Sequence, residues 1–455
     1  MKYRRSISIL ALIITLIYAG DVNFWMSLLV ASPYFLLLFD KSKHELCPHL
    51  ILLSMTLIIY SFLFVARYLV TVLFPFAGYF GRVNLPSDGV TDSMVLASLF
   101  TNLFLLGVLI LHSPGSPACR INFDYLKIEF KWLNTYANVG SVISLLSLGF
   151  FLFANGNILV LIEQLIAHDK LSSYTYTPIS TLGLSIWAIF SGISVSLAIH
   201  ISLVQKTYRK LPYILLILLG YVFVFGSRLE LFTIILLVYI LQTFTGHRVS
   251  TFTKITTFSV SILLSIYIIY LRLQSNFFGI KIYSLITYPV LDASQVVISQ
   301  PRQSFVSIFT VERFSQYLES FVPRFFVLDK ISIQNSRLDT ILADTFGTEA
   351  QRGRTGWPTG AFTELYIFGG WLFVAISAFV AGIFIARILV YFAKPRNSES
   401  GVNRIIFLVI LLFWIAWYKD GDFLSSSQGS IRLLIYSLVA SKFIDFIRGK
   451  RAQLK

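Results

Sequence analysis

Charge is scarce in this sequence. Only 13% of its 455 residues are Asp, Glu, Lys or Arg, about half the share of a soluble protein. Hydrophobic residues make up 56% and the mean hydropathy is +0.76. A water-soluble fold would have to hide more apolar surface than its surface-to-volume ratio permits, so that class is excluded. Cysteine is confined to Cys47 and Cys119, both in segments that the charge pattern places in the cytoplasm, which excludes a disulfide framework. Histidine occurs six times and never between residues 272 and 360, which disfavours a histidine base in that stretch. The net charge is +15, but the basic residues sit in short loops and form no stripe with interleaved aromatics. Nucleic acid is therefore not an expected partner.

What the chain has instead is long apolar runs, such as 51–74, 182–204 and 405–418. Most approach the roughly 20 residues that one bilayer crossing needs. The hydropathy predicts an all-α polytopic membrane protein with about twelve transmembrane helices. They run near 6–20, 23–39, 49–74, 92–112, 138–154, 180–204, 212–226, 229–244, 255–271, 361–390, 404–418 and 430–447. The first run follows Lys2, Arg4 and Arg5 like a secretory signal. The next apolar run begins almost at once, so it reads as a retained helix. The short outer loops carry only Arg82, Lys170, Arg228 and Lys419, whereas each inner segment holds two to four Lys or Arg. Both termini are expected in the cytoplasm.

One outer segment breaks the pattern. Residues 272–360 form a loop far longer than hydropathy requires, and such loops are usually functional. Three parts are expected: helices 1–9 over 1–271, the large external loop over 272–360, and helices 10–12 with a cytoplasmic tail over 361–455. Apolar residues at helical spacing in 285–299 and 311–322 predict amphipathic helices lying on the membrane surface.

Candidate chemistry follows from charges in unusual places. The loop and its flanks carry Arg272, Lys281, Arg302, Arg313, Arg324, Lys330, Arg337, Arg352 and Arg354. Arginine presents a planar fork of donors that grips phosphate oxygens in pairs and stays charged at any accessible pH. The bland reading of each is a solvated surface, or an ion pair with Asp292, Glu312, Glu319, Asp329, Asp339, Asp344 or Glu349. Charges inside crossings cost roughly 2.5–3.5 kcal/mol each and are functional candidates by default. Arg67, Glu364 and Arg432 are of this kind, with Arg228 and Glu230 at the outer membrane face. For Arg67 and Glu364 the alternative is a buried structural ion pair. Asp420-Gly421-Asp422 has the spacing of a metal-diphosphate motif. Contact with substrate hydroxyls and ordinary turn chemistry are the competing readings, and no metal or other cofactor is expected.

Several of these residues lie in stretches that resemble the bacterial O-antigen (oligosaccharide repeat-unit) polymerases of the Wzy type. Gly226-Ser227-Arg228 opening a crossing is similar to that family's Gly-Ser-Arg signature, with Leu229 where glycine often follows. Pro323-Arg324 followed by Lys330 resembles its Pro-Arg … Lys stretch. Gly360 through Glu364 and Tyr366 to Phe368-Gly369-Gly370 is similar to its Gly … Glu-x-Tyr … Phe-Gly start of a crossing. The resemblance spans about residues 220–390. It implies a GT-C-like glycosyltransferase in the bacterial inner membrane, with its active site facing the periplasm. The growing glycan would pass from undecaprenyl diphosphate to the non-reducing end of a lipid-linked repeat unit. A flippase and a chain-length-determining co-polymerase would be its partners beside the membrane lipids.

On that resemblance Glu364 is the expected base, ahead of Asp420, Asp422 and Glu230, and Arg228 and Arg324 are the expected diphosphate ligands. Arg67, Lys330, Arg352, Arg354, Arg272, Arg432 and Tyr366 are further substrate-binding candidates, and Tyr317 and Trp357 could stack on sugars. Three rival readings are an O-antigen ligase, or another lipid-linked glycosyltransferase; a lipid-oligosaccharide flippase or transporter; and a structural partner of a cell-envelope complex with no catalysis of its own. The histidine-free loop weighs against the ligase. The grouping of the arginines at one outer face weighs against a transporter with its site at the bilayer midplane.

Overall fold

The computed structural model describes residues 24–38, 48–73, 90–111, 126–154, 178–205, 207, 209–221, 234, 237–238, 290–301, 315, 342, 359–393, 400–431, 434–435 and 438–439. The described residues are almost entirely helical and contain no strand. Four described stretches are long and apolar enough to cross a membrane: Ile51–Leu69, Thr91–Ile110, Leu133–Ala154 and Gly360–Phe392. By this measure the protein is a multi-span membrane protein, helical throughout its described spans.

Two compact units are present. The first comprises Met1–Arg120, Ile282–Lys394 and Ile410–Ser430, and the second Ile121–Lys281, Pro395–Val409 and Ile431–Lys455. In the first unit, α1 (Phe24–Leu38) carries Pro33 in its interior. Proline removes the N–H that would serve the carbonyl four residues back. Ser32 Oγ takes over by donating to that carbonyl, Leu29 O, at 2.5 Å. Helix α2 (Pro48–Ile59) widens into a π-helical stretch, Tyr60–Val65, and continues as α3 (Ala66–Leu73). The bulge is held from its neighbours: Tyr60 Oη donates to Val30 O at 3.0 Å and shares a 2.8 Å hydrogen bond with Ser98 Oγ.

Helix α4 (Thr91–Ile110) places Asp92 in its first turn, where a negative charge complements the helix dipole. It packs along α9 (Gly360–Ala393). In lipid there is no hydrophobic drive between helices, so close approach depends on small residues. The α4–α9 contact meets that condition. A Cβ on Gly107 would overlap the Phe379 carbonyl oxygen, and one on Gly382 would overlap that of Phe104. Gly382→Leu should therefore part the two helices and cost about 3 kcal/mol. Thermal aggregation of the detergent-solubilised protein checks this, and wild-type behaviour would refute the close crossing.

Helix α9 is not continuous: Gly370 has φ 70° and ψ −164°, a conformation essentially reserved for glycine. Residues 371–393 are by themselves long enough to span about 30 Å of hydrocarbon. The preceding 360–369 is a separate short helix, where a single crossing was expected over 361–390. Helix α10 (Ser400–Asp420) ends in this unit. Its aromatic residues interleave with those of α4. Trp414 stacks on Phe104 with centroids 3.7 Å apart, and Tyr418 shares a 2.6 Å hydrogen bond with Thr101 Oγ1.

Helix α8 (Val290–Ile298) corrects the expectation for the external loop. It falls within the stretch expected to lie on the membrane surface, yet Val290 through Gln295 and Val297 are all buried. The reason is that its polar side chains find partners inside the unit, as set out below. The second expected amphipathic helix, 311–322, lies outside the described residues apart from Ser315.

In the second unit, α5 (Leu126–Ala154) packs along α6 (Pro178–Gln205). Gly140 sits against Ser194, and Gly183 against the backbone of Ser147 and Phe151. Serines in this contact return their hydroxyl to their own helix, as Ser144 does to Gly140 O at 2.7 Å. Leu148, Phe151, Trp187, Val195, Ile217 and Tyr221 form the apolar core. Helix α7 (Leu211–Leu219) starts after Lys210, whose Nζ donates to Asn138 Oδ1. Burial pushes the Lys210 ammonium below the usual lysine range.

Candidate functional site

Polar side chains gather at one end of the first unit, where α4 and α9 begin and α3 and α10 end. Helix α8 keys into this end through three side chains that reach three different helices. Asp292 receives Arg67 Nε and Nη2 at 2.7 Å each. This is a bidentate pair with the side chains 0% and 5% exposed. Ser294 Oγ donates to Thr359 O at 2.6 Å and accepts from Thr363 Oγ1 at 2.9 Å. Gln295 accepts from the Ser93 backbone N–H at 2.9 Å and donates to Asp92 Oδ2 at 3.3 Å. The charge of Arg67 is thus matched within the protein, as a buried cation requires.

Asp420, Gly421 and Asp422 form an elbow between two helices. Gly421 has φ +69° and its N–H reaches Trp417 O at 2.9 Å, the left-handed cap that ends α10. Asp422 then starts the helix over 423–431. Its Oδ1 accepts from Ser425 N–H at 3.0 Å and its carbonyl from Ser426 N–H at 2.9 Å, which is N-cap geometry. Asp420 pairs with Lys419 at 2.9 Å. Turn chemistry therefore describes this tripeptide. Among the described residues no group of three His, Cys, Asp or Glu side chains is placed to hold a metal ion.

The elbow is pressed onto the start of α9. Thr359 N–H donates to Asp420 O at 3.3 Å. A Cβ on Gly421 would overlap the backbone of Gly360, itself at φ +72°. Gly421→Ala would combine a left-handed strain of about 1–2 kcal/mol with that overlap. The expected result is a protein destabilised by about 3 kcal/mol, with the start of α9 displaced. A melting temperature equal to wild type would contradict it.

Glu364 stands one turn into α9 and is buried. Its Oε2 accepts from Trp417 Nε1 at 2.8 Å and from the Phe423 backbone N–H at 3.0 Å. Phe423 opens the 423–431 helix, so this N–H is one of the donors that a helix start leaves without an intrahelical acceptor. The carboxylate is thereby held at a helix N-terminus by two donors that flank the elbow. Tyr366, two residues on, is half-buried and meets Trp371 edge-on at 6.0 Å.

Of the expected site residues, the structure brings Glu364, Asp420 and Asp422 into the elbow region and sets Arg67 at the same end of the unit through α8. Arg228, Arg324, Lys330, Arg352, Arg354, Arg272 and Arg432 lie outside the described residues, as do Glu230, Tyr317 and Trp357. Trp417 and the Phe423 N–H had no signal in the sequence, and Asp292 figured there only among several acidic loop residues. No protein-family model, curated protein or solved structure matches this chain.

Proposed function

We propose that the chain is a membrane-embedded glycosyltransferase, a surface-polysaccharide (O-antigen) polymerase with about twelve spans and a GT-C-like arrangement. It works at the periplasmic face of a bacterial inner membrane with both termini in the cytoplasm. The observation that carries this reading is the buried carboxylate of Glu364. It lies in the stretch that resembles the polymerases, at the unit's end that the long loop reaches through α8.

The chemistry asked of such a site is simple. The acceptor hydroxyl attacks the anomeric carbon of the growing glycan. The bond from that carbon to the lipid diphosphate breaks, and the electron pair leaves with the diphosphate. Glu364 receives the hydroxyl proton, which requires hydrogen-bond reach of the acceptor. Fixed cations stabilise the charge that builds on the leaving group, the role given to Arg228 and Arg324. Lys330, Arg352, Arg354, Arg272 and Arg432 are supporting candidates. No metal is called for where arginines meet that charge.

Deleting the gene in its host, separating the surface polysaccharide on a gel and complementing with wild type or Arg228→Ala tests the reading. The expected result is loss of the ladder to a single repeat unit on the core, restored by wild type and not by Arg228→Ala. Long chains left on carrier lipid would identify a ligase instead. Unpolymerised lipid-linked units accumulating on the cytoplasmic side would identify a flippase.

A further inference from the structure

We propose that Trp417 is the positioning residue of Glu364. Its indole N–H, with the Phe423 backbone N–H, holds the carboxylate in the orientation in which it receives the acceptor proton. The proposal rests on the reading of Glu364 as the base.

An indole N–H only donates, and a buried one needs an acceptor. Trp414, nearly one turn earlier on α10, spends its N–H on a neutral hydroxyl, Thr56 Oγ1 at 3.0 Å. Trp417 spends its own on a carboxylate, a charge-assisted bond of the stronger kind. The direction of that N–H is set by packing rather than by the bond. The ring stacks on Phe413 at 6.1 Å and meets Phe423 edge-on at 5.5 Å, Trp414 at 5.9 Å and Phe100 at 6.3 Å. A donor locked by surrounding rings is what a preorganised carboxylate needs. The second donor belongs to the backbone and cannot turn away. Both point at the same oxygen, so together they define where the carboxylate lies. Buried at 2% exposure, the carboxylate must draw such donors from the protein itself.

A tryptophan that merely packs would tolerate phenylalanine, which keeps an aromatic ring and drops only the donor and some volume. The test uses the purified full-length protein in proteoliposomes, with diphosphate-linked repeat units extracted from its host. Turnover and KM are measured for wild type, Trp417→Phe and Glu364→Gln. Trp417→Phe is expected to lower kcat about tenfold to a hundredfold, with KM changed less than about twofold. An unchanged kcat overturns the proposal, as does a raised KM at retained kcat, which would mark direct substrate contact. Glu364→Gln separates the two levels. If it turns over like wild type, the base assignment fails whatever Trp417→Phe does. If it is inactive while Trp417→Phe matches wild type, only the positioning role fails. Should Trp417→Phe not accumulate, Trp417→β-(3-benzothienyl)alanine replaces the N–H by sulfur and keeps the bicyclic ring. The same fall in kcat is expected, and wild-type turnover overturns the proposal.

Discussion

Arg67→Ala is expected to destabilise the protein by about 3–5 kcal/mol, the usual effect of leaving one member of a buried ion pair without its partner. Asp292 has no exposed surface and sits on a helix where Val290, Leu291, Ala293 and Val297 are buried with it. Water therefore cannot solvate the abandoned carboxylate unless α8 leaves its seat. Asp292→Ala should cost about as much, because Arg67 is equally enclosed at 4% exposure. The informative variant is the double one. Removing both charges deletes the desolvation penalty together with the attraction, so Arg67→Ala/Asp292→Ala should be more stable than either single variant. The coupling should exceed about 2 kcal/mol, against the few tenths shown by independent sites. Thermal unfolding of the solubilised protein reads all four corners of this cycle. Additive costs would show that the two side chains do not depend on each other, and the keyed seating of α8 would then be wrong.

Glu364→Gln is expected to leave the protein in the membrane at near-normal abundance while lowering polymer formation at least about a hundredfold. Acid–base groups contribute about 10²–10⁴-fold to such reactions. Glutamine is nearly isosteric and keeps a carbonyl oxygen that can accept from Trp417 Nε1 and Phe423 N–H. The elbow should accordingly survive. What is lost is the capacity to take a proton from an acceptor hydroxyl. Quantifying polysaccharide length and protein abundance in the same cells decides the matter. Full-length chains at normal abundance would remove Glu364 from the chemistry and leave it a cross-helix cap. Low abundance would reveal a structural role, since amide hydrogens would then lack acceptors in a buried site.

The membrane character of the protein is legible in the sequence alone. Hydropathy is a local property, so runs such as Thr91–Ile110 and the later part of α9 declared themselves as membrane helices whatever they pack against. Charges inside such runs are equally conspicuous, which is why Arg67 and Glu364 stood out. Gly421 was read together with two flanking carboxylates because spacing alone cannot tell a ligand pair from a turn. In the fold one aspartate pairs with its neighbouring lysine and the other caps the next helix.

Partnership is where reading along the chain stops. Asp292 lies 225 residues from Arg67, and among the acidic residues of the long loop nothing distinguishes it. Its neighbours Ser294 and Gln295, two and three residues on, carry no mark of their own in the sequence. Buried among three other helices, these polar side chains became the means of attachment, each to a different helix. Trp417 read as one more aromatic in an apolar run until α9 set a carboxylate against its N–H. Composition and period determined which segments enter the membrane, because each residue's transfer from water is settled by its own side chain. Only the tertiary structure decided which buried charge or donor meets which acceptor, because a polar group in a low-dielectric interior is stable only beside a partner, and the chain's order does not say which one.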